Sequence, residues 1–126
     1  METEGDTMRT RKTSQQGIDI NGIATLEEVK IGGIPQWIMM RGINRHHPIL
    51  LFLHGGPGTA QIGFIRPFQA RLEEHFVVVN WDQRGAGLSY SKHIPQDSMA
   101  IRQFVADTIE LVHWLLQRLG QHKIYL

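Results

Sequence analysis

The run Ile49-Leu50-Leu51-Phe52-Leu53 is unbroken and apolar, entered from Pro48 and left through His54-Gly55-Gly56-Pro57-Gly58. It is too short for a helix. Hydrophobicity without alternation means apolar neighbours on both faces, the situation of a central strand in a parallel sheet. A sheet built round such a strand needs cover on both sides, which restricts the chain to alternating strands and helices.

The flanking sequence supplies that alternation. Leu26 to Ile31 and Ile34 to Met40 are β-rich runs joined by Gly32-Gly33, whose freedom at positive φ suits a type I′ hairpin turn. Arg41 to Pro48 is polar and ends in proline, hence a loop. After the glycine-rich loop, Gln61 to Glu74 reads as a helix that Pro67 must kink or delimit. Phe76 to Trp81 is a second buried strand, and Asp82 to Gln96 a long loop. Ser98 is a candidate N-cap for a helix whose apolar stripe is Ile101, Phe104, Val105, Thr108, Val112, Leu115, Leu116 and Leu119. On this reading Arg102, Gln103, Asp107, Glu110 and Arg118 lie away from the centre of the stripe. Gly120 stops the helix, and Lys123 to Leu126 begins another strand. The expected fold is α/β: an antiparallel hairpin, then parallel β-α-β-α-β with right-handed crossovers.

Composition narrows the class. The chain has 126 residues, 13 Lys+Arg, 12 Asp+Glu and no cysteine. A formal net charge of +1 provides no basic field for nucleic acid, so no nucleic-acid partner is expected. Without cysteine there is no disulfide scaffold, zinc ribbon or thiol nucleophile in this chain. No stretch approaches the ~20 apolar residues that cross a bilayer, and no signal-peptide core is visible, so no membrane partner and a cytoplasmic location are expected. Residues 1–16 carry two Met and no other apolar side chain and read as a disordered arm. Residues 17–126 read as the folded part.

Open α/β sheets bind ligands beyond the carboxyl ends of their strands. Two loops fall there: His54-Gly55-Gly56-Pro57-Gly58 and Asp82-Gln83-Arg84-Gly85-Ala86-Gly87-Leu88-Ser89. Gly55 and Gly56 lack a Cβ, so their amides can approach a ligand oxygen, and the N-terminus of the following helix would add partial positive charge. A phosphate loop would need Gly-Lys-Ser/Thr, which is missing, and the third glycine of a dinucleotide fingerprint is also missing. Spacing alone leaves an oxyanion-holding loop and a ligand-free tight turn both open. His46-His47 lie in a polar loop with no carboxylate at ligand spacing and read as solvated, so no metal site is expected. His113 and Trp114 read as packed or flanking residues of the long helix. No cofactor is expected.

The two loops together resemble the α/β-hydrolase superfamily, in the branch similar to proline iminopeptidases, and the resemblance extends from about Leu26 to Leu126. It implies that Gly56 gives one oxyanion-hole amide with Gly55 permitting the approach, and that His54 holds the loop rather than acting as base. Pro57 and Gly58 complete that loop. It also implies that Asp82, Arg84 and Ser89, with Gly85 and Gly87, brace the site. In this fold the acid follows the nucleophile, so Asp82 precedes the place for a triad acid. Ser89, in Gly-Leu-Ser-Tyr-Ser, lacks the second glycine of G-x-S-x-G, and no G-x-S-x-G occurs in the chain. The resemblance therefore implies the N-terminal part of a hydrolase sheet, truncated before the nucleophile elbow, with serine, acid, histidine and substrate-selecting cap all beyond Leu126. The implied activity of the parent is a proline-releasing aminopeptidase acting on a small-molecule or short peptide substrate. Esterase, amidase and epoxide-opening chemistries share the fold. The other class kept open is a non-catalytic remnant or partner-binding piece.

Overall fold

A computed structural model describes the backbone of Met8–Lys12 and residues 20–56 and 58–126. Six strands form one sheet in the order β1-β2-β3-β5-β4-β6. They are β1 (Met8–Lys12), β2 (Ile23–Ile31), β3 (Ile34–Gly42), β4 (Ile49–Leu53), β5 (Val77–Asp82) and β6 (Ile124–Tyr125). The hairpin pairs Ile31 with Ile34 across Gly32 (φ 58°) and Gly33 (φ 83°), both in the left-handed region expected of a type I′ turn. β3 then pairs antiparallel with β5, whereas β5–β4 and β4–β6 are parallel. The mixed sheet thus has the hairpin at one side and the parallel strands at the other, as expected.

Burial explains why these runs became strands. All six residues of β5 are buried. β4 departs from the expectation of two covered faces: Ile49 and Leu51 are buried, Leu50 and Phe52 half-buried, and Leu53 is 46 % exposed. The core lies on the face covered by α2 (Ile101–Leu119), where Leu111 and Leu115 meet Ile31, Ile38, Met40, Ile49, Leu51, Val77, Val79 and Trp81. The opposite face carries the single turn α1 (Arg66–Gln69), fixed to β5 by the Gln69–Asn80 amide pair at 2.7 and 3.2 Å, and a 3₁₀ turn whose Glu73 pairs with Arg41 of β3 at 3.3 Å.

Four further expectations need correction. Met8–Lys12, expected within a disordered arm, pairs antiparallel with Thr25–Val29. Ladder bonds are made by the backbone, so a polar segment qualifies for an edge. The remainder of that arm lies outside the described residues. The helix expected over Gln61–Glu74 contracts to α1 plus a 3₁₀ turn at Leu72–Glu74, because Pro67 sits in the first turn of α1 and leaves no continuous ladder before it. α2 is capped by the extended residue Ala100 without a side-chain bond, not by Ser98, whose hydroxyl donates to Pro95 O at 2.6 Å. Finally, the stripe is rotated: Asp107, Leu111 and Leu115 are its buried residues, while Ile101 (83 %) and Val105 (54 %) are exposed. Gly120 does end α2, left-handed at φ 65°, its N–H bonded to Leu116 O.

Candidate active site

Parallel pairing brings Leu53 of β4 beside Trp81 of β5, so the loops leaving these two strands start side by side. His54 joins them. Its Nε2 lies 3.0 Å from the Gln83 amide nitrogen, its Nδ1 3.0 Å from Gly55 O, and the Gln83 side-chain amide donates to His54 O at 2.8 Å. His54 is buried, whereas Gly55 and Gly56 are exposed at the surface beyond it. Gly56 has φ 121°, and a Cβ there would stand 2.2 Å from Thr59 Oγ1, so the turn requires glycine. Leu53, His54, Gly55, Gly56 and Gln83 line a cleft of about 340 Å³ whose far wall is Ile101, Phe104, Val105 and Thr108 of α2.

Asp82 lies at the end of β5 and is buried. Its Oδ2 accepts the Leu88 amide at 2.9 Å and its Oδ1 the Ile62 amide at 3.4 Å, tying both loops to one carboxylate that is 2 % exposed. Ser89 Oγ donates to Asp82 O and accepts the Trp37 amide at 2.9 Å, so this hydroxyl is spent on the sheet and is not presented as a nucleophile. Gly85 (φ 80°) and Gly87 (φ 50°) shape the turn between them, and Gly58 (φ 86°) is exposed in the first loop. Pro57 lies outside the described residues.

Arg84 reaches the other way, into the core. It meets Asp107 through Nε at 2.9 Å and Nη2 at 3.1 Å, gives Nη2 to Gly32 O at 2.9 Å and Nη1 to Ser98 Oγ at 3.2 Å. Gln103 and Gln36 donate to the same carboxylate at 2.7 and 3.1 Å, and Trp81 Nε1 donates to Gln36 Oε1 at 2.8 Å. Both charges are almost fully out of water, and such a pair persists only when each partner is fully bonded. This network stands behind the loop and holds its register against the β2–β3 turn and α2.

Several of these roles escaped sequence reasoning. Asp107 was expected away from the centre of the apolar stripe, yet it lies one turn before Leu111 and two before Leu115, which places it on the buried face. Gln36, buried at 0 % in an otherwise apolar stretch of β3, carried a comparable signal. Gln83 carried none, since its part is played by a backbone amide and a side-chain rotamer. A correction also applies to the glycine loop. Seven residues separate Gly58 from α1, which is a single turn, so no helix dipole acts on Gly55 or Gly56. Among the described residues no three His, Asp or Glu side chains come together as a metal cluster. No described helix is long and apolar enough to cross a membrane.

This architecture, two strand-end loops braced by His54 and Asp82 on a mixed sheet, has known counterparts. A family model described as alpha/beta hydrolase fold matches residues 48–126, more than half of the chain. The chain belongs to the α/β-hydrolase fold family. A Bacillus subtilis protein named "Probable aminopeptidase YbaC" is 52 % identical over 104 residues, covering 82 % of this chain and 33 % of the relative. The crystal structure of a proline iminopeptidase-related protein from Thermus thermophilus superposes with a TM-score of 0.65 at 27 % identity, covering 81 % of this chain and 34 % of that one. The chain therefore spans about a third of the length of these two relatives. The resemblance read from the two loops and these relatives agree on an α/β-hydrolase sheet similar to that of proteins named as aminopeptidases.

Proposed function

We propose that this chain forms one wall of the active site of a cytoplasmic serine hydrolase that removes N-terminal, proline-like residues from short peptides. The observation that carries the reading is the exposed Gly55–Gly56 turn at the end of β4, opening into a cleft and braced on the strand-end loop of β5. An exposed backbone amide, fixed in place by a buried frame, suits a developing oxyanion. Such donors are worth about 2.7–4 kcal/mol each because they are aimed before charge appears. The names of the relatives supply the aminopeptidase class.

In the proposed reaction a serine attacks the scissile carbonyl, the Gly56 amide holds one side of the oxyanion, and water releases the acyl group. The serine, acid and base belong to sequence matching the other two-thirds of the relatives, and the 126-residue chain alone is inert. The bonds that Ser89 accepts from the Trp37 amide and Asp82 from the Ile62 and Leu88 amides support a bracing role for both and a triad drawn from other residues.

The test combines one genetic and one kinetic measurement. Codons following Leu126 should encode an in-frame G-x-S-x-G, and the product of that longer frame should cleave proline chromogenic substrates in a manner blocked by a serine-directed phosphonate. Gly56→Val in that product should lower kcat by about 100-fold with little change in KM, in line with loss of one oxyanion donor. An unchanged kcat removes Gly56 from the site. Phosphonate-sensitive turnover by the 126-residue chain itself would overturn the assignment of the triad to other sequence.

A further inference from the structure

The chain has five methionines and no cysteine, so its sulfur chemistry with peroxides falls on thioethers. Met39 and Met40 are buried in β3, whereas Met99 is 42 % exposed in the segment between the β5 loop and α2. Met1 and the side chain of Met8 lie outside the described residues. The Met99 thioether rests on Gly85. A Cβ on Gly85 would stand 2.7 Å from Met99 Cε and 3.3 Å from Met99 Sδ, so the end of the side chain fills the space left by the missing Cβ. Gly85 is held at φ 80° in the turn that follows Arg84. The residues on either side of Met99 are tied down. Ser98 Oγ accepts Arg84 Nη1 at 3.2 Å, and the Met99 amide donates to Gln96 O at 3.1 Å. Ala100 O accepts the Gln103 and Phe104 amides that begin α2. The sulfur thus sits where the loop beside the glycine turn meets the helix that forms the far wall of the cleft.

We infer that Met99 is a site of reversible oxidation by peroxides, and that its oxidation slows the reaction by loosening the β5 loop. The kinetic part rests on the reading of Gly56 as an oxyanion donor. In the step, the sulfur lone pair attacks one oxygen of hydrogen peroxide, and the O–O bond breaks as an S–O bond forms. The other oxygen leaves with both hydrogens as water. Sulfur gives up two electrons and the peroxide takes them. The product is a sulfoxide, polar and chiral where the thioether was apolar and flexible. Hydration of the new oxygen draws the end of the side chain toward water and off Gly85. The turn that follows Asp82 and Gln83 then loses its cover, and with it the fixed position of the glycine loop bonded to Gln83. Displacement of a transition-state donor acts on kcat and leaves KM largely intact. Met99 is a positioning residue in this sense, since it acts through Gly85 and touches no reacting atom.

The experiment treats the product of the longer frame with graded hydrogen peroxide, and compares each protein with its own untreated sample. Peptide mass spectrometry should find one added oxygen on Met99 before any on Met39 or Met40. In step with that oxidation kcat should fall about 10-fold with KM within about 3-fold. Methionine sulfoxide reductase should restore it. Met99→Leu fills a similar volume without an oxidisable sulfur, and the same treatment should cost it less than about 2-fold. Met99→Gln sets a permanent polar group at the same place and should show the lowered kcat before any peroxide is added. Oxygen on Met39 or Met40 while Met99 stays unmodified would overturn the inference. So would complete oxidation of Met99 with kcat unchanged, an equal loss in Met99→Leu, or a loss carried by KM. An inert longer product would instead overturn the proposed function and with it the kinetic role, while mass spectrometry on the same sample still decides the site of oxidation.

Discussion

Asp107 shows how far one side chain can control a site it does not enter. Its carboxylate, 0 % exposed, holds Arg84, Gln36 and Gln103, and through Arg84 it fixes the β2–β3 turn at Gly32. Asp107→Ala would leave the Arg84 guanidinium buried without a counter-charge, a situation that costs about 3–5 kcal/mol. Denaturant titration should register that loss, and a change under 1 kcal/mol would show that water replaces the carboxylate. Gly32 is bound to the same network, since a Cβ there would stand 2.1 Å from Asp107 Oδ1. The Gly32-Gly33 turn was legible in the sequence because only glycine takes those φ values readily. The Arg84–Asp107 pair was not, because a charged residue on a helix is assigned to water until some other element is known to bring an opposite charge inside.

At the scale of elements, α2 is the instructive case. Its 3.6-residue periodicity identified the helix and its end at Gly120, but the stripe included residues of a second, uncovered face. Ile101, Val105 and Ile109 are 83, 54 and 54 % exposed, and part of this face forms the wall of the cleft opposite the glycine loop. Apolar residues on both sides of a helix give no sequence criterion for which side meets the sheet. The two faces should respond differently. Leu111→Ala removes a side chain packed at 0 % exposure and should cost about 2–5 kcal/mol, whereas Val105→Ser should change stability by no more than about 0.5 kcal/mol. Equal effects in thermal or denaturant unfolding would contradict the packing. The helix expected over Gln61–Glu74 failed for a different reason: Pro67 sits in the first turn of α1, so no continuous ladder runs before it. β4, in contrast, was recovered to the residue because Pro48 and His54-Gly55 bound it on either side.

For the whole molecule, the balance of covered and uncovered surface decides behaviour. Leu53, Ile101, Val105, Ile109, Tyr125 and Leu126 are all exposed, between 46 and 83 %, around the cleft, α2 and β6. Among the described residues β6 pairs only with β4, which leaves its other edge open to a further strand. A 126-residue polypeptide presenting this surface should self-associate, so that sedimentation velocity shows species growing with concentration. A monomer that melts sharply and reversibly would contradict this. The α/β architecture was readable from alternating buried strands, and the loop motifs indicated the family. The frame of hydrogen bonds that makes the loops rigid was not readable, because it joins residues as distant as Gly32 and Asp107 through side-chain geometry.

The strand order has a consequence for the growing chain on the ribosome. β3 finds its neighbour not in β4, the next strand made, but in β5, so the hairpin formed by β2 and β3 has one bare flank while residues 43–76 are still being added. Contacts local in sequence close first, and pairings across longer loops follow. Val77–Asp82 is thus the keystone of synthesis: its arrival joins a waiting hairpin to β4 and, in the same step, carries Asp82 and Gln83 to the loop they brace. The joining of the hairpin to β4 and the bracing of the two strand-end loops are one event in time.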